Sequence, residues 1–293
     1  MFYKMIVCCI CLVSSVSASE GQWEKSADLS FNLNQSSYND AWAGGETGSI
    51  VWTAIGNLAA EKAFNDRYNL RNTLKLSFGQ THSQADGDDG QKHWESPEKS
   101  TDRIFAESLL RLTLQKFVDP YAAITVESQF YDASVKEITR YLSPLTISEA
   151  AGVGRLIMKN ENTELLSRVG FAFRQHFTKD IVTINPEETE TNTTQDGGLE
   201  WVTDFNHKFD DVKYVSKLRL FKAAFNSESD TVKGTEAEDY WKEVDVAWEN
   251  TLSASVSKYV QVSLFCELLY DKEIDLRGRF REVLGIGVTY KLF

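Results

Sequence analysis

The chain has 293 residues, of which 43 are Asp or Glu and 31 are Lys or Arg, giving a formal net charge of −12. An aromatic fraction of 12%, with only 4 Pro and 17 Gly, excludes a disordered, collagen-like or proline-rich chain. No nucleic-acid partner is expected, because nucleic-acid binding requires a basic face. No apolar run of about 18 residues follows the N-terminal region, so no helical membrane span is predicted.

The first residues have the pattern of a secretory signal peptide. Lys4 is the only charge, residues 5–13 form a short apolar stretch, and small residues lead up to Ala18. The apolar stretch is too short to cross a bilayer, and the order of these regions matches an export signal. The sequence therefore predicts a signal peptide over 1–18 and a single domain over 19–293. The alternative is a short N-terminal helix.

Cleavage after Ala18 would remove most of the cysteines. Cys8, Cys9 and Cys11 lie in the apolar stretch, which leaves Cys266 alone in the mature chain. A single cysteine can form neither an intrachain disulfide nor a cysteine-based zinc site. The exported domain is therefore expected to fold without disulfides.

Apolar residues recur at every second position along the mature chain, which is the period of a half-buried strand. In the segment 164–179, aliphatic and phenylalanine residues fill one face, and Arg168 and Arg174 lie on the other. This period predicts an all-β fold. The predicted strands cover 23–34, 48–62, 67–82, 101–116, 120–132, 150–159, 163–178, 197–208, 212–226, 239–255, 259–271 and 279–293.

The connections between these strands alternate in length. Those after even-numbered strands are short, whereas those after odd-numbered strands are long and polar, as in 83–100, 179–196 and 227–238. This alternation is typical of a single antiparallel transmembrane β-barrel of about 12 strands, with short periplasmic turns and long extracellular loops. An even strand count places both termini in the periplasm. The alternative is a soluble β-sandwich or solenoid with one wet face.

The faces predicted to point into the barrel carry charges of both signs, and they include the candidate binding residues. Neighbouring strands differ in sign, because Lys217 and Arg219 lie between strands that carry Glu200, Asp204 and Glu249. The pattern predicts either a polar interior held by cross-strand ion pairs or a pore wall that tunes selectivity. The candidate lumen set is Arg71, Lys75, Arg111, Arg168, Arg174, His176, Lys213, Lys217, Arg219, Glu243, Asp245 and Glu249.

Some twelve-stranded outer-membrane barrels are lipid hydrolases, which require a Ser and a His on the lipid-facing surface near the outer leaflet. No His-x-Ser pair occurs, and His207 is predicted near the periplasmic end of its strand. No catalytic residue is therefore assigned. The acidic segment 85–90 lacks the spacing of an EF-hand and is interpreted as a solvated loop. No metal and no cofactor are predicted.

The segment Asn32-Leu33-Asn34-Gln35-Ser36-Ser37-Tyr38-Asn39-Asp40-Ala41-Trp42-Ala43-Gly44-Gly45-Glu46 resembles the N-terminal signature of an uncharacterised outer-membrane β-barrel family of Gram-negative bacteria. Members carry an Asn-rich first strand and a Trp-Ala-x-Gly-Gly-Glu/Asp loop, here Trp42, Gly44, Gly45 and Glu46. The family is a domain of unknown function, so the resemblance implies fold and outer-membrane location and no catalytic residue. The loop is interpreted either as a rigid closure of the first hairpin or as a plug that contacts a ligand.

The leading functional hypothesis is a non-enzymatic outer-membrane barrel, either a narrow channel for small solutes or a structural component of the envelope. Its expected partners are outer-membrane lipid and small solutes in the lumen. The alternatives are an enzyme that modifies outer-membrane lipid and a barrel subunit that binds a protein through its extracellular loops 83–100 and 179–196.

Overall fold

A computed structural model describes residues 22–38, 47–87, 92–114, 116–135, 138–184 and 187–291. The predicted signal peptide over 1–18 and the predicted loop motif of Trp42, Gly44, Gly45 and Glu46 lie outside these residues.

The described part of the chain forms a closed antiparallel β-barrel, as the sequence predicts. Its strands are β1 (Glu24–Ser36), β2 (Ser49–Ala63), β3 (Tyr68–Asp86), β4 (Lys92–Trp94), β5 (Glu98–Leu112), β6 (Asp119–Ser128), β7 (Tyr131–Val135), β8 (Ile138–Tyr141), β9 (Leu145–Lys159), β10 (Thr163–Thr183), β11 (Glu188–Phe209), β12 (Val212–Asn226), β13 (Val244–Ser255), β14 (Val260–Tyr270) and β15 (Arg279–Lys291). The barrel wall has 12 strands, because the short β4 only pairs with the end of β3, in line with β5, and because β7 and β8 form a separate hairpin.

The wall closes where the first strand meets the last. Strand β1 pairs with β2 along its whole length and with β15 from Asp28↔Lys291 to Asn32↔Gly287. Sequential strands pair all the way round in the order β1, β2, β3, β5, β6, β9, β10, β11, β12, β13, β14 and β15. Closure leaves no free edge, which is the condition for a sheet exposed to lipid.

Several strand boundaries differ from the predicted ones. The segment 179–196 was predicted as a long loop, but β10 continues to Thr183 and β11 begins at Glu188. The two strands extend past their outer neighbours as a two-stranded ribbon, since β9 pairs with β10 only as far as Leu145↔Phe177. The mainly polar residues of 178–183 and 188–195 therefore form strand, because mutual pairing satisfies their backbone groups without any apolar alternation.

The opposite end of the barrel carries the predicted short connections. Asn65 Oδ1 accepts hydrogen bonds from the backbone N–H groups of Arg67 and Tyr68, each at 2.9 Å. Asn160 Oδ1 does the same for the N–H of Thr163 at 2.7 Å. Asp210 has φ 45° in the two-residue turn between β11 and β12. These side chains and backbone conformations are typical of tight turns.

The outer wall carries an apolar belt. On β15, Leu284, Ile286 and Val288 alternate outward and are between 60% and 67% exposed. At the long-loop end, the rings of Phe31, Trp52 and Phe78 form a row with centroid separations of 6.1 and 5.7 Å. An outward apolar band with an aromatic row at its edge is the pattern of a transmembrane barrel.

Helical structure within the described residues is confined to a short 3₁₀ turn at Tyr240–Lys242, just before β13. In that part of the chain no helix has the length and apolar character needed to cross a membrane.

Two glycines allow the backbones of β9 and β10 to lie close together below the inward-pointing side chain of Tyr121. Gly152 and Gly170 face each other across the ladder, and the hydroxyl of Tyr121 lies over Gly170. A Cβ at Gly170 would lie 2.4 Å from the carbonyl oxygen of Ala151 and 2.7 Å from the Tyr121 hydroxyl. Backbone atoms cannot move away cheaply, so this position requires glycine.

We predict that Gly170→Ala lowers the free energy of unfolding by about 1–3 kcal/mol, because the added methyl group overpacks the β9–β10 contact. Gly56→Ala is the matched control, since a Cβ there meets only the ends of two flexible side chains, Leu29 at 3.4 Å and Leu58 at 3.8 Å. Urea unfolding of both variants in lipid vesicles measures the difference. Equal loss of stability in the two variants would contradict this account of Gly170.

Candidate functional site in the barrel lumen

Ion pairs between strands that are not neighbours identify the inner face of the barrel. The guanidinium of Arg103 on β5 pairs with the carboxylate of Glu249 on β13, on the opposite side of the wall. Lys217 Nζ on β12 lies 3.2 Å from Glu107 Oε2 on β5. Contacts of this kind can form only across the interior, so these side chains occupy the lumen.

These residues belong to a set of ion pairs at the middle height of the strands, which we call the central network. Several of its carboxylates have two cationic partners, and most of the pairs cross the barrel. Its contacts are Arg103–Glu249, Arg103–Glu267 (3.6 Å), Lys75–Glu249 (3.1 Å), Arg168–Glu107 (3.1 Å), Lys217–Glu107 (3.2 Å), Arg168–Asp204 (3.1 Å), Arg219–Glu127, Arg219–Glu200 (3.6 Å) and Arg281–Glu267 (2.7 Å).

Two phenylalanines fill the space between these charges. Phe105 and Phe221 are 1% and 2% exposed, although both lie on inward faces. Lys217 Nζ lies 4.8 Å from the centroid of the Phe105 ring, and the Arg174 guanidinium carbon lies 3.5 Å from that of Phe221. Cations packed on aromatic faces are attracted to the ring electrons. Together with the cross-barrel pairs, the two rings fill the middle of the lumen.

Two cavities lie in the lumen, one among the residues of the central network and one above it, towards the long-loop end. The upper one, which we call the vestibule, has a volume of about 360 Å³, and the lower one has a volume of about 250 Å³. They share wall residues, namely Glu127, Arg219, Ala247 and Leu269. The lower cavity is lined mostly by residues of the central network, among them Arg103 and Glu249, so it lies among these ion pairs.

One arginine is fixed in the vestibule wall by two carboxylates. Arg174 donates from Nε and Nη2 to the two oxygens of Asp196, both at 2.7 Å, and from Nη2 to Asp245 at 2.9 Å. His176 Nε2 lies 3.3 Å from Asp196 Oδ2. A bidentate arginine–carboxylate pair is strong and directional. The hydrogen-bonding capacity of these groups is therefore largely used within this cluster.

The loop between β14 and β15, residues 271–278, adds an unusual carboxyl group to the vestibule. Glu273 accepts a hydrogen bond from Asn226 Nδ2 at 2.9 Å. Partial burial, followed by repulsion from the carboxylates of Asp271, Asp245 and Asp196, raises the pKa of Glu273 to about 7. This carboxyl therefore changes charge near neutral pH.

The residues of the predicted lumen set lie at different heights along the barrel axis. Lys75, Arg168, Lys217, Arg219 and Glu249 meet in the central network. Arg174, His176 and Asp245 line the vestibule. Arg71 lies nearer the short-turn end, where it pairs with Glu61 at 2.8 Å and with Glu164 at 2.7 Å.

Three predicted residues lie away from both groups. Lys213 is exposed near the short-turn end of β12. Arg111 lies in the half of β5 that is nearer the short-turn end, and its buried Nε has no hydrogen-bond partner among the described residues. Glu243 was placed within a strand, but β13 begins at Val244 and Glu243 pairs with Lys272 in the outer loops at 3.1 Å.

Other residues of the site were missed in the sequence. Arg103 has the same parity as Glu107, so the period-two pattern could have identified it as inward. Asp196 was assigned to a loop, because the polar continuation of β11 carries no apolar alternation. Glu273 and Arg279 sit at a loop and at its junction with β15, where no period indicates which way a side chain points.

One protein-family model matches part of this chain. Residues 33–133 match the model of DUF3078, a protein family of unknown function. The prediction of a resemblance to a family without an assigned function is confirmed to that extent. A search of curated protein sequences found no match.

Solved structures with a similar arrangement are bacterial outer-membrane barrels. An outer membrane channel from Pseudomonas putida F1 has 11% identity and a TM-score of 0.39, covering 94% of this chain and 96% of its own. The translocator domain of the autotransporter NalP from Neisseria meningitidis has 6% identity and a TM-score of 0.37, covering 99% and 94%. The β domain of the Bordetella autotransporter BrkA has 11% identity and a TM-score of 0.34, covering 92% and 98%.

We predict that Glu273 makes the folded barrel less stable as the pH rises. Its pKa of about 7 in the folded chain exceeds the ordinary value of 4.5, so the folded state holds the proton more tightly. Its stabilising contribution is therefore present below about pH 4.5 and is lost as the pH rises through about 7. Urea unfolding should show Glu273→Gln more stable than the wild type at pH 8 and equal to it at pH 4.

Asp275→Asn is the control of opposite sign in the same loop. Hydrogen bonds from the Arg277 side chain and backbone lower the pKa of Asp275 below its ordinary value of 3.8. Its stabilising contribution is present above that ordinary value, so the asparagine variant should be less stable than the wild type at pH 8. A Glu273→Gln variant whose stability follows the wild type at every pH would contradict the assignment.

Proposed function

We propose that this protein is an integral outer-membrane barrel that serves as a narrow solute channel, closed in the described conformation by the central network. The observation that carries this proposal is the column formed by two successive cavities with shared wall residues, the vestibule and the lower cavity, which reaches Arg103 and Glu249. The column is lined mainly by charged and polar side chains. A polar column that ends at a few long side chains is what a closed gate requires.

The outer surface supports a membrane position. Outward residues such as Leu199 and Trp201 on β11 are 64% and 53% exposed, and water would hydrate them unfavourably. A closed barrel can present such residues to lipid because all its backbone groups are paired. By the topology of bacterial barrels, the short turns would face the periplasm and the vestibule would open to the outside.

The chemistry of the lumen favours a channel over a purely structural barrel. Burying ion pairs is costly, and replacing them with well-packed apolar residues is often neutral or stabilising. A barrel whose only task is to fill space in the envelope gains nothing from buried charges in its lumen. Lys217 and Arg168 are two such charges, and they are only 7% and 3% exposed. Charged groups do, however, allow water and solutes to replace protein contacts when the pairs separate.

Arg103 is the side chain whose removal tests this function most directly. It reaches from β5 to both Glu249 and Glu267. If Arg103 is shortened, Glu249 keeps Lys75 at 3.1 Å and Glu267 keeps Arg281 at 2.7 Å. The change therefore removes a span across the lumen without leaving either carboxylate unpaired, and the barrel should still fold.

We predict that the refolded wild-type chain conducts weakly in a planar lipid bilayer and that Arg103→Ser increases the single-channel conductance several-fold. Lys242→Ser is the control, because Lys242 pairs with Asp239 at 2.5 Å in an exposed outer loop. Its conductance should equal that of the wild type. Large conductance steps in the wild type would disprove a closed lumen. A folded Arg103→Ser variant that never conducts would favour the structural role.

A further inference from the structure

The vestibule has the size of a binding site for a small molecule. Its volume of about 360 Å³ lies at the lower end of the range of ligand pockets, which is about 300–1,000 Å³. Its wall combines barrel strands with the 271–278 loop. A solute that enters from the long-loop end would therefore meet this site before it reaches the lower cavity.

Some charged groups of the vestibule are already paired. Asp196 and Asp245 hold Arg174, and Glu127 pairs with Arg219. These contacts fix the side chains and reduce their capacity to bind a ligand. The charged groups of the wall that have no such partner are the candidates for binding a ligand.

Four charged groups in the same wall have no ion pair with any described residue: Arg279, Glu228, Asp271 and Glu273. The Nε atom of Arg279 is also buried without a hydrogen-bond partner among those residues. An unsatisfied buried donor is unfavourable, so it needs an explanation. The ends of a single short loop thus bring an unpaired cation and two carboxylates to one cavity without joining them.

The wall also carries an excess of negative charge. Six carboxylates face three guanidinium groups across the vestibule. The carboxylates are Glu127, Asp196, Glu228, Asp245, Asp271 and Glu273, and the guanidinium groups are those of Arg174, Arg219 and Arg279. A ligand with net positive charge would be attracted, and a net anion would be repelled.

We propose that the vestibule binds a small solute that carries a carboxylate and an excess of amines, of which a basic amino acid is the simplest example. Arg279 would receive the carboxylate, and Asp271 and Glu273 would receive the amines. Paired charge-assisted hydrogen bonds at the two ends of such a molecule would orient it. This inference rests on the proposed function, since it names the class of solute that the lumen would admit.

The experiment is isothermal titration calorimetry on the refolded chain in detergent micelles at pH 8, with L-lysine, cadaverine and L-glutamate as probes. Lysine has both groups, cadaverine has amines without a carboxylate, and glutamate has a net negative charge. We expect lysine to bind about tenfold more tightly than cadaverine, because only lysine engages Arg279. Glutamate is expected to bind more weakly than either.

Variants assign the two ends of the ligand. Arg279→Gln should weaken lysine binding about tenfold and leave cadaverine binding unchanged. Glu273→Gln should weaken the binding of both. Arg277→Gln is the matched control, because Arg277 lies in the same loop with its side chain 87% exposed and pairs with Asp275. Its affinities should equal those of the wild type.

Three results would overturn the inference: no lysine binding by the folded wild type, equal affinity for lysine and glutamate, or loss of lysine binding in Arg277→Gln but not in Arg279→Gln. Binding in micelles does not require conduction, so this test is independent of the bilayer measurement. Lysine binding by a chain that never conducts would retain the vestibule site and reject the channel. Conduction without lysine binding would do the reverse.

Discussion

The pairing of β1 with β15 is the constraint on which the rest of the structure depends. Without it, the sheet would present two free edges, and an apolar outer surface could not be placed in lipid with its backbone groups unpaired. Once the sheet closes, the period of two along every strand has fixed consequences, because alternate residues must point outward to the apolar belt or inward to the lumen. The same rule puts Leu284 on the outer wall and Arg281 in the interior.

Closure also explains why the charged residues lie so close together. A barrel of this strand number encloses little space, so long side chains from opposite walls reach one another. Their burial is acceptable only because each charge meets a partner of opposite sign. Glu107 illustrates the arrangement, since it accepts from both Arg168 and Lys217 at 3.1 and 3.2 Å. Such sharing means that the separation of either pair does not leave the Glu107 carboxylate alone.

Much of this architecture could be predicted from sequence, because a barrel strand in lipid must alternate. All the wall strands were identified, including β2 and β9, where small residues such as Ala59 and Gly154 weaken the pattern. Prediction was least accurate at the long-loop end. There the strands continue beyond the apolar belt, and a ribbon paired only with itself needs no alternation. The extent of β11, and with it the position of Asp196, therefore could not be obtained from periodicity.

The candidate site, too, could be predicted from the period of the sequence only in part. Parity is a local property, and it correctly places Lys75 and Lys217 on inward faces. It does not say which inward residues meet, because that depends on the shear and tilt of the closed barrel. Thus Arg103 and Glu249 lie far apart in sequence and their strands are on opposite sides of the wall, yet they form one pair. Loop residues such as Glu273 have no parity, and only the folded chain shows that they face the vestibule.

The two cavities share charged residues in their walls. Glu127 and Arg219 belong to the walls of both, and they pair with each other. Arg219 also lies 3.6 Å from Glu200, so it has a second carboxylate available if a cationic solute competes for Glu127. A positive ligand in the vestibule would thus act on the floor of the column through a pair that it can weaken. Recognition of the solute and opening of the lumen would then share the same ion pairs, which gives the charged interior a role that an apolar filling could not provide.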